Sequence, residues 1–419
     1  MSTTPGTANA TGPRMGPGLD VLALICLVLI ASSLRPAASS LGPVLAEVQT
    51  AFGLAEWQTG LLTALPGLIF AVCGFIAVPL LRRVGLFTSL TIACVLIAGG
   101  IGARVLVDSW VAFAALTIAA LAGMSLGNVI LPVFVKTRFP HRAHLGATAF
   151  TVSLGLGAMF PALLTAPLTE HFDDWRVGLG AWVLVPLAAL ATWIVLRGLG
   201  SVPVFRAPGT DRTPGTERNA TPAPRRHIHM TAKARYMAMF FGLQSVNAYV
   251  QFGWLPQIYR DAGLDPVAAG IMLTIVTLGG LPGGFLAPQI IMRGIAPRAF
   301  LVSFAVSAVA GYTGLLLAPA SAPVLWAVLL SYGGFAFPAA LALITSRTRD
   351  VSVTARTSAF VQSSGYVLAA LGPLAVGGLL GLSGAWTLPL LLMIAVSVLM
   401  GITGYLSAAP GTVDDELTQ

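Results

Sequence analysis

Arg35 is the residue whose type and position say most about chemistry. It lies near the middle of an apolar segment that we predict to run from residue 20 to residue 47. If that segment crosses a membrane, a charge at its centre costs at least ~2.5–3.5 kcal/mol and usually faces a cavity. No carboxylate lies at a comparable depth in another apolar segment. A guanidinium donates paired hydrogen bonds to planar oxyanions, so we expect Arg35 to anchor a bound anion. The alternative is a structural arginine that carbonyl, Gln or Asn groups satisfy.

The neighbours of Arg35 fit a cavity wall. Ser32, Ser39 and Gly42 fall on the same helical face as Arg35, because residues three, four and seven positions apart lie one above another on a helix. Pro36 removes a backbone donor and predicts a kink at this point.

A second polar stripe lies in the seventh apolar segment, where amide side chains and a tryptophan recur at helical spacing, with Tyr249 off the stripe. Amides in an apolar helix either bind substrate or hydrogen-bond to neighbouring helices; we favour substrate binding or gating. Isolated polar residues in the fourth, tenth and eleventh segments are weaker candidates, for which a helix–helix contact is at least as good an explanation. The predicted substrate-binding set is Arg35, Asn128, Gln244, Asn247, Gln251, Trp254, Tyr332, Gln362 and Tyr366.

Other kinds of site find little support. His141, His144 and His171 lack metal-ligand spacing, and there is neither a Ser/His/Asp arrangement nor a G-x-x-x-x-G-K-[ST] phosphate loop. The three cysteines fall in apolar stretches and are interpreted as packed thiols. We therefore expect no enzyme, no cofactor, no metal site and no nucleic-acid partner.

The elements that must position these residues are membrane helices. The chain has 419 residues, 56% of them hydrophobic and only 9% charged, whereas soluble domains carry about 25% charged residues. A membrane helix needs about 20 apolar residues, and the apolar stretches do not alternate as barrel strands do. We predict twelve helices at residues 20–47, 55–81, 86–107, 109–137, 141–169, 176–198, 232–260, 265–292, 298–318, 322–347, 355–382 and 385–408.

The polar stretches divide this all-α integral membrane chain into two six-helix halves. We predict a disordered N-terminal tail, a first half, a cytoplasmic linker, a second half and a short, acidic, solvated tail, at residues 1–18, 19–198, 199–231, 232–408 and 409–419. The first apolar run is too long for a signal peptide and is expected to be retained.

Charge predicts the orientation. With both termini in the cytoplasm, 19 of the 23 Lys and Arg residues fall on the cytoplasmic side. Three fall outside (Arg104, Arg176 and Arg260), and Arg35 is the remaining one. This bias supports an even number of helices in the cytoplasmic (inner) membrane. The loop arginines need no role beyond topology.

The two halves repeat. A shift of 210 residues superimposes Gly53 on Gly263, Gly60 on Gly270 and Arg83 on Arg293, at the same points in the helix order. Parallel six-helix repeats with a basic linker are typical of a secondary transporter that binds its solute between the halves.

With twelve predicted helices in two repeated halves, the chain resembles the major facilitator superfamily. Leu34-Arg35-Pro36 followed by Gly42-Pro43 is similar to the branch of cyanate and 2-nitroimidazole permeases, the CynX/NimT type. Supporting stretches are Gly60-Leu61-Leu62-Thr63, Gly127–Pro132, Gly242–Ser245 and Trp254-Leu255-Pro256. The resemblance implies alternating access around a central cavity. The superfamily's loop Gly and Asp are replaced by Val78 and Arg82, which puts the usual Asp-based latch in doubt.

Three functions follow, in order of preference. The first is secondary active or facilitative transport of a small anionic or oxyanion-like solute, such as a cyanate-, nitrate- or carboxylate-like molecule. The second is efflux of nitroimidazole-like or other drug-like compounds, and the third is a membrane sensor that does not transport. Facilitated diffusion, exchange with a counter-ion, and proton symport through Glu47 or Glu56 are all compatible with the sequence.

Overall fold

The computed structural model describes residues 17–139, 143–199 and 228–418, and these are helical throughout, without a strand. Most of the predicted N-terminal tail and linker, like His141, lies outside the described residues. The helices are α1 (Pro17–Ser32), α2 (Pro36–Ser39), α3 (Leu45–Phe52), α4 (Glu56–Arg104), α5 (Trp110–Arg138), α6 (Ala143–Phe172), α7 (Trp175–Gly180), α8 (Leu184–Gly198), α9 (Ala232–Asp261), α10 (Pro266–Gly279), α11 (Gly283–Met292), α12 (Pro297–Leu317), α13 (Pro323–Tyr332), α14 (Ala336–Ser346), α15 (Val351–Ser383), α16 (Thr387–Ser407) and α17 (Val413–Thr418).

Ten stretches of the described chain are long and apolar enough to cross a membrane. The other two predicted segments are also helical. One is the first part of α4, which continues into the next segment across a bend at Gly85. The other is α9, whose charged and amide residues make it less apolar than the rest. The arrangement is consistent with twelve crossings.

Three membrane segments are broken near their middle. The predicted helix 20–47 stops at Ser32 and restarts at Pro36, where a proline, which has no N–H to donate, begins the new helix. The segment of α10 and α11 is interrupted at residues 280–282, and α13 and α14 are joined by a short 3₁₀ turn at Gly333–Phe335. Irregular backbone at membrane depth is tolerated where it is buried in protein or lines a cavity, so these breaks point to the interior of the bundle.

The repeat in the sequence is also a repeat in the backbone. Positive φ angles occur in pairs about 210 residues apart, at Gly53 and Gly263 (62° and 97°) and at Gly85 and Gly294 (80° and 69°). The halves meet where α4 packs on α15 and α6 packs on α10. Gly42 packs directly on Phe252, the residue 210 positions later in the repeat. A Cβ at Gly42 would lie 2.2 Å from the carbonyl oxygen of Phe252.

The bundle has two ends that differ in their contacts. We call the end where α8 finishes and α9 begins the linker end, and the other the far end. At the linker end, Asp20 at the start of α1 pairs with Arg138 at the finish of α5, 2.7 Å apart. At the far end, the guanidinium of Arg260 pairs with Glu47 of the other half at 2.8 Å. This ion pair joins the two halves at the far end.

The acidic C-terminal segment forms α17, which packs on the bundle through buried Val413 and Leu417, whereas we expected a solvated tail. Its acidic side chains remain partly exposed, and the carboxylate of Asp415 pairs with Arg349. The main-chain N–H and the hydroxyl of Thr412 both donate to Asp415 and lower the pKa of that carboxyl. Because these bonds lie within the segment, the lowered pKa stabilises its folded turn, and this contribution is lost as the pH falls through the lowered pKa.

The bend in α4 gives a test of the backbone. Gly85 has φ 80° and ψ 172°, a region essentially restricted to glycine, so Gly85→Ala is expected to cost about 1–3 kcal/mol. Gly99 is the matched control in the same helix, because a Cβ there meets no atom within 4 Å. Gly99→Ala is expected to gain about 0.5–1 kcal/mol. Thermal unfolding in detergent measures both, and equal melting temperatures for the two variants would contradict the assigned bend.

Candidate functional site

A cavity of about 620 Å³ lies between the two halves. It starts at Arg35 and extends to Met292 and Thr345, where α11 and α14 approach the linker end. All three broken segments contribute to its wall, through Arg35, Gly280 and Gly334 among others. The cavity therefore runs from the centre of the bundle toward the linker end, while the Glu47–Arg260 pair joins the two halves at the far end.

Arg35 contributes an unpaired positive charge to this cavity. Its side chain is partly buried and lines the wall. Within the part of the chain that the structure describes, its guanidinium makes no hydrogen bond or ion pair, and its main-chain carbonyl accepts from Ala38 and Ser39. A guanidinium in this position has all five N–H groups available to a solute.

A second arginine holds the backbone that presents Arg35. Arg104, at the last residue of α4, is fully buried and donates to the carbonyl oxygen of Ala37 at 3.3 Å and to Ser40 Oγ at 3.2 Å. Its guanidinium also lies over the ring of Phe113, 5.7 Å from the centroid. Arg104 thus bonds to groups in the irregular stretch just after Arg35. The expectation that Arg104 is a loop residue with no role beyond topology is wrong, because the helix end that carries it is covered by α2 and α5.

The break also changes the neighbourhood predicted for Arg35. Ser32 donates to the carbonyl oxygen of Ser153 on α6 at 3.3 Å, and Ser39 donates back to the carbonyl oxygen of Arg35 at 3.2 Å. Gly42 packs against α9. The helical register is lost between Ser32 and Pro36, so Ser32 does not share a face with Arg35, whereas Ser39 keeps an α-helical hydrogen bond to Arg35. None of these three residues lines the cavity.

The amide stripe of α9 does line the cavity, and each amide is oriented by a neighbour. Gln244 donates to Ser245 Oγ at 2.6 Å, Asn247 donates to the carbonyl oxygen of Leu243 at 3.0 Å, and Gln251 donates to the hydroxyl of Tyr312 at 3.1 Å. The Oε1 atoms of the two glutamines accept no hydrogen bond within the described residues. They are therefore acceptors available to the cavity.

Two tyrosines complete the polar part of the wall. Tyr249 and Tyr366 both line the same cavity as Arg35. Neither hydroxyl has a hydrogen-bond partner within the described residues. The prediction for Tyr366 agrees with this placement. Tyr249, which we had placed off the polar stripe, belongs to the wall because the cavity covers a wider arc of α9 than one stripe.

The rest of the wall is mainly apolar. Phe150 of α6, Phe252 of α9 and Phe337 of α14 face the cavity from three directions. Sequence reasoning missed these residues, since a phenylalanine in a membrane helix carries no signal that separates a cavity from lipid.

Four predicted site residues lie elsewhere. Trp254 is fully buried and packs against Trp386 with ring centroids 5.8 Å apart. The hydroxyl of Tyr332 shares a hydrogen bond with Ser303, and Gln362 donates to Ser358 along its own helix. Asn128 is partly buried in α5. None of the four lines the cavity. Trp254 and Tyr332 contact a neighbouring helix, and Gln362 bonds within its own helix.

No cluster of three or more potential metal ligands occurs among the described residues. The cavity wall itself carries no acidic side chain. Among the described residues the wall therefore offers one cation, two phenol donors and two free carbonyl acceptors in a chamber that is mainly apolar, which is suited to binding a solute.

Known proteins are similar to this chain in sequence and in fold. The 2-nitroimidazole transporter of Escherichia coli (strain K12) is 30% identical over 90% of this chain and 93% of its own length. The cyanate transport protein CynX of the same organism is 29% identical over 86% of this chain and 90% of its own. The crystal structure of a bacterial homologue of the human lysosomal transporter Spinster superimposes over 94% of this chain and 98% of its own, with a TM-score of 0.72 at 15% identity.

The family model of the Major Facilitator Superfamily matches residues 24–346. That match covers more than half of the chain, and the all-helical fold with two repeated halves agrees with it. The chain therefore belongs to the Major Facilitator Superfamily and is a multi-pass membrane transporter.

Proposed function

We propose that this transporter moves a small planar solute with a negative or electron-rich edge across the cytoplasmic membrane by alternating access. The observation that carries the proposal is the guanidinium of Arg35, which faces the cavity and has no partner among the described residues. A desolvated cation without a counter-ion favours an anionic or oxyanion-like ligand. Arg35 is the anchor in this proposal.

The polar groups around Arg35 define which edges the solute presents. The hydroxyls of Tyr249 and Tyr366 are donors in the same cavity as the guanidinium, so they add hydrogen bonds to the same acceptor edge. The free Oε1 atoms of Gln244 and Gln251 favour N–H or O–H groups elsewhere on the solute. These four residues orient the solute, and the apolar rings enclose its flat faces.

The size of the cavity favours an organic solute over a bare inorganic anion. Its volume of about 620 Å³ falls within the ~300–1,000 Å³ typical of small-molecule sites. A triatomic ion such as cyanate would leave most of that space to water, which screens Arg35. A heterocycle with a nitro or carboxylate group fills more of it and reaches both the aromatic walls and the amides. One of the two relatives is named for 2-nitroimidazole, an organic solute, and the other for cyanate, a small inorganic anion.

Orientation follows from charge. With 19 of 23 Lys and Arg residues on one side, the linker end and both termini are assigned to the cytoplasm. The cavity then opens toward the cytoplasm, and the Glu47–Arg260 pair is the external closure. Solute release on the other side requires that this pair separate, as in alternating access.

A second candidate, efflux of neutral aromatic compounds, is supported by Phe150, Phe252 and Phe337 in the wall. In that case aromatic stacking supplies the affinity and Arg35 is secondary. The two candidates differ in what happens when the charge of Arg35 is removed.

Arg35→Gln tests the anchor. A hydrogen bond to a charged group contributes about 1.5–3 kcal/mol, so the variant is expected to bind an anionic or nitro solute about 10- to 150-fold more weakly. The solutes to be tested are nitrate, cyanate, a short carboxylate, an anionic heterocycle, 2-nitroimidazole and an organic cation. Binding is measured as thermal stabilisation of purified protein, and transport as counterflow of labelled solute in proteoliposomes. Arg293→Gln is the matched control, because Arg293 is exposed at the linker end outside the cavity.

The outcomes separate the candidates. Loss of binding and of counterflow in Arg35→Gln, with both retained in Arg293→Gln, supports the anchor. Unchanged stabilisation by neutral compounds in Arg35→Gln would reject the anchor and favour aromatic efflux. Binding without counterflow of any solute in the wild-type protein would favour the sensor.

The external closure has its own test. Glu47 and Arg260 are partly exposed, and an exposed pair contributes about 0.2–1 kcal/mol. Glu47→Gln or Arg260→Gln is therefore expected to raise opening at the far end by up to about fivefold. The readout is labelling of Thr63→Cys by a membrane-impermeant thiol reagent from outside, in a background without the native cysteines. Thr63 is a suitable reporter because it is buried against Gly253 of the other half.

A charge exchange is the control for this closure. Glu47→Arg combined with Arg260→Glu re-forms the pair and is expected to return labelling toward the wild-type rate. If both single variants label at the wild-type rate, the pair does not hold the far end closed.

A further inference from the structure

The outer surface of the C-terminal half carries a large apolar groove. It lies between α12 and α16, with Trp326 of α13 near one end, and encloses about 1060 Å³. It shares no lining residue with the central cavity. Val306, Leu317 and Ile402 in its wall are 63%, 76% and 50% exposed, so they contact lipid when the protein is in a membrane.

Small residues give the groove its depth. A Cβ at Gly401 of α16 would lie 2.7 Å from Ala305 Cβ of α12, so the two helices approach closely at its floor. A Cβ at Gly314 would lie 2.3 Å from the indole of Trp326, which lies over that glycine. The groove therefore has a defined floor and a defined far-end boundary, unlike the flat lipid-facing side of a single helix.

A cation stands at the linker end of the groove. Arg298 lies four residues before Val302 on α12 and hence on the same helical face. Its guanidinium lies 4.7 Å from the ring centroid of Tyr405, a lining residue, and its Nη1 donates to the Tyr405 hydroxyl at 3.4 Å. This contact fixes the guanidinium at the mouth of the groove.

Arg298 has no acidic partner. Within the described chain it forms no ion pair, and its buried Nε has no hydrogen-bond partner. It is the second residue of the 21-residue helix α12, where the helix dipole favours an anion. A cation without an ion pair therefore lies at the mouth of the groove, and the groove itself is apolar.

We propose that this groove binds an anionic phospholipid, with one acyl chain along α12 and α16 and the phosphate at Arg298. The fifteen helical steps from Val302 to Leu317 span about 22 Å at ~1.5 Å per step, and one leaflet contributes about 15 Å of hydrocarbon. One acyl chain entering from the linker end therefore covers about two thirds of the groove. Basic pockets between membrane helices on the cytoplasmic side suit anionic headgroups, and the assignment of this leaflet rests on the orientation proposed above.

Competition between lipids, followed by native mass spectrometry, tests whether the charge of Arg298 selects an anionic headgroup. Purified protein is titrated with phosphatidylglycerol and phosphatidylcholine of identical chains. The wild-type protein and Arg293→Gln are expected to prefer phosphatidylglycerol equally. Arg298→Gln is expected to lower that preference about fivefold, the size of effect expected for one basic side chain near an anionic surface. An unchanged preference in Arg298→Gln would overturn the proposal.

A second variant tests the groove. Ala310 is exposed in its wall, so Ala310→Trp fills the space from outside without disturbing the core. It is expected to abolish binding of the most tightly held lipid and to leave the melting temperature of the lipid-free protein within a few degrees of wild type. Retention of that lipid in Ala310→Trp, or equal stabilisation of the wild-type protein by inorganic phosphate, would show that no acyl chain is held there. Solute binding at Arg35 is measured in the same variants, and its loss or retention bears only on the proposed function.

Discussion

The arrangement of this protein depends on how a membrane segment can be broken around a charged residue. A broken helix leaves backbone carbonyls unsatisfied, and lipid offers them no donor. Here Arg104, carried on a different helix, donates to the carbonyl oxygen of Ala37 and to Ser40 Oγ just beyond the break. These two bonds hold the short helix α2 that follows Arg35, and Arg35 itself lies in the wall of the cavity. One arginine thus positions the turn, and the other has no partner among the described residues.

The two arginines show that burial and partners decide what a membrane cation does. Arg104 is fully buried and bonded to neutral oxygens, which makes it a positioning residue. Arg35 is partly buried and has no bonded partner within the described residues, which makes it available to a solute. Arg260 is a third case, since its ion pair with Glu47 joins the halves.

The halves are related by a repeat but do not behave identically. The first segment of the N-terminal half is broken, whereas its counterpart α9 is continuous from Ala232 to Asp261. In the C-terminal half the breaks lie instead between α10 and α11 and between α13 and α14, where Gly280 and Gly334 approach each other. One half thus presents a cation, and the other presents amides on a continuous helix beside breaks that contain glycine. This asymmetry provides different chemistry on the two sides of one cavity.

The sequence alone determined the membrane class and the helical repeat and singled out Arg35 as a candidate, because apolar length, a 210-residue period and a mid-segment charge are local or periodic properties of the chain. It also singled out Gln244, Asn247 and Gln251, since their spacing marks one face of α9, and all three line the cavity. Tyr366 of α15 lines the cavity too, although Gln362, one turn before it, does not. Only the tertiary structure decided that Arg104 is buried, that Tyr249 faces the cavity and that Trp254, Tyr332, Gln362 and Asn128 do not. Helical periodicity says which residues share a face but not which neighbour covers that face, and a break such as that at Arg35 cancels the periodicity beyond it.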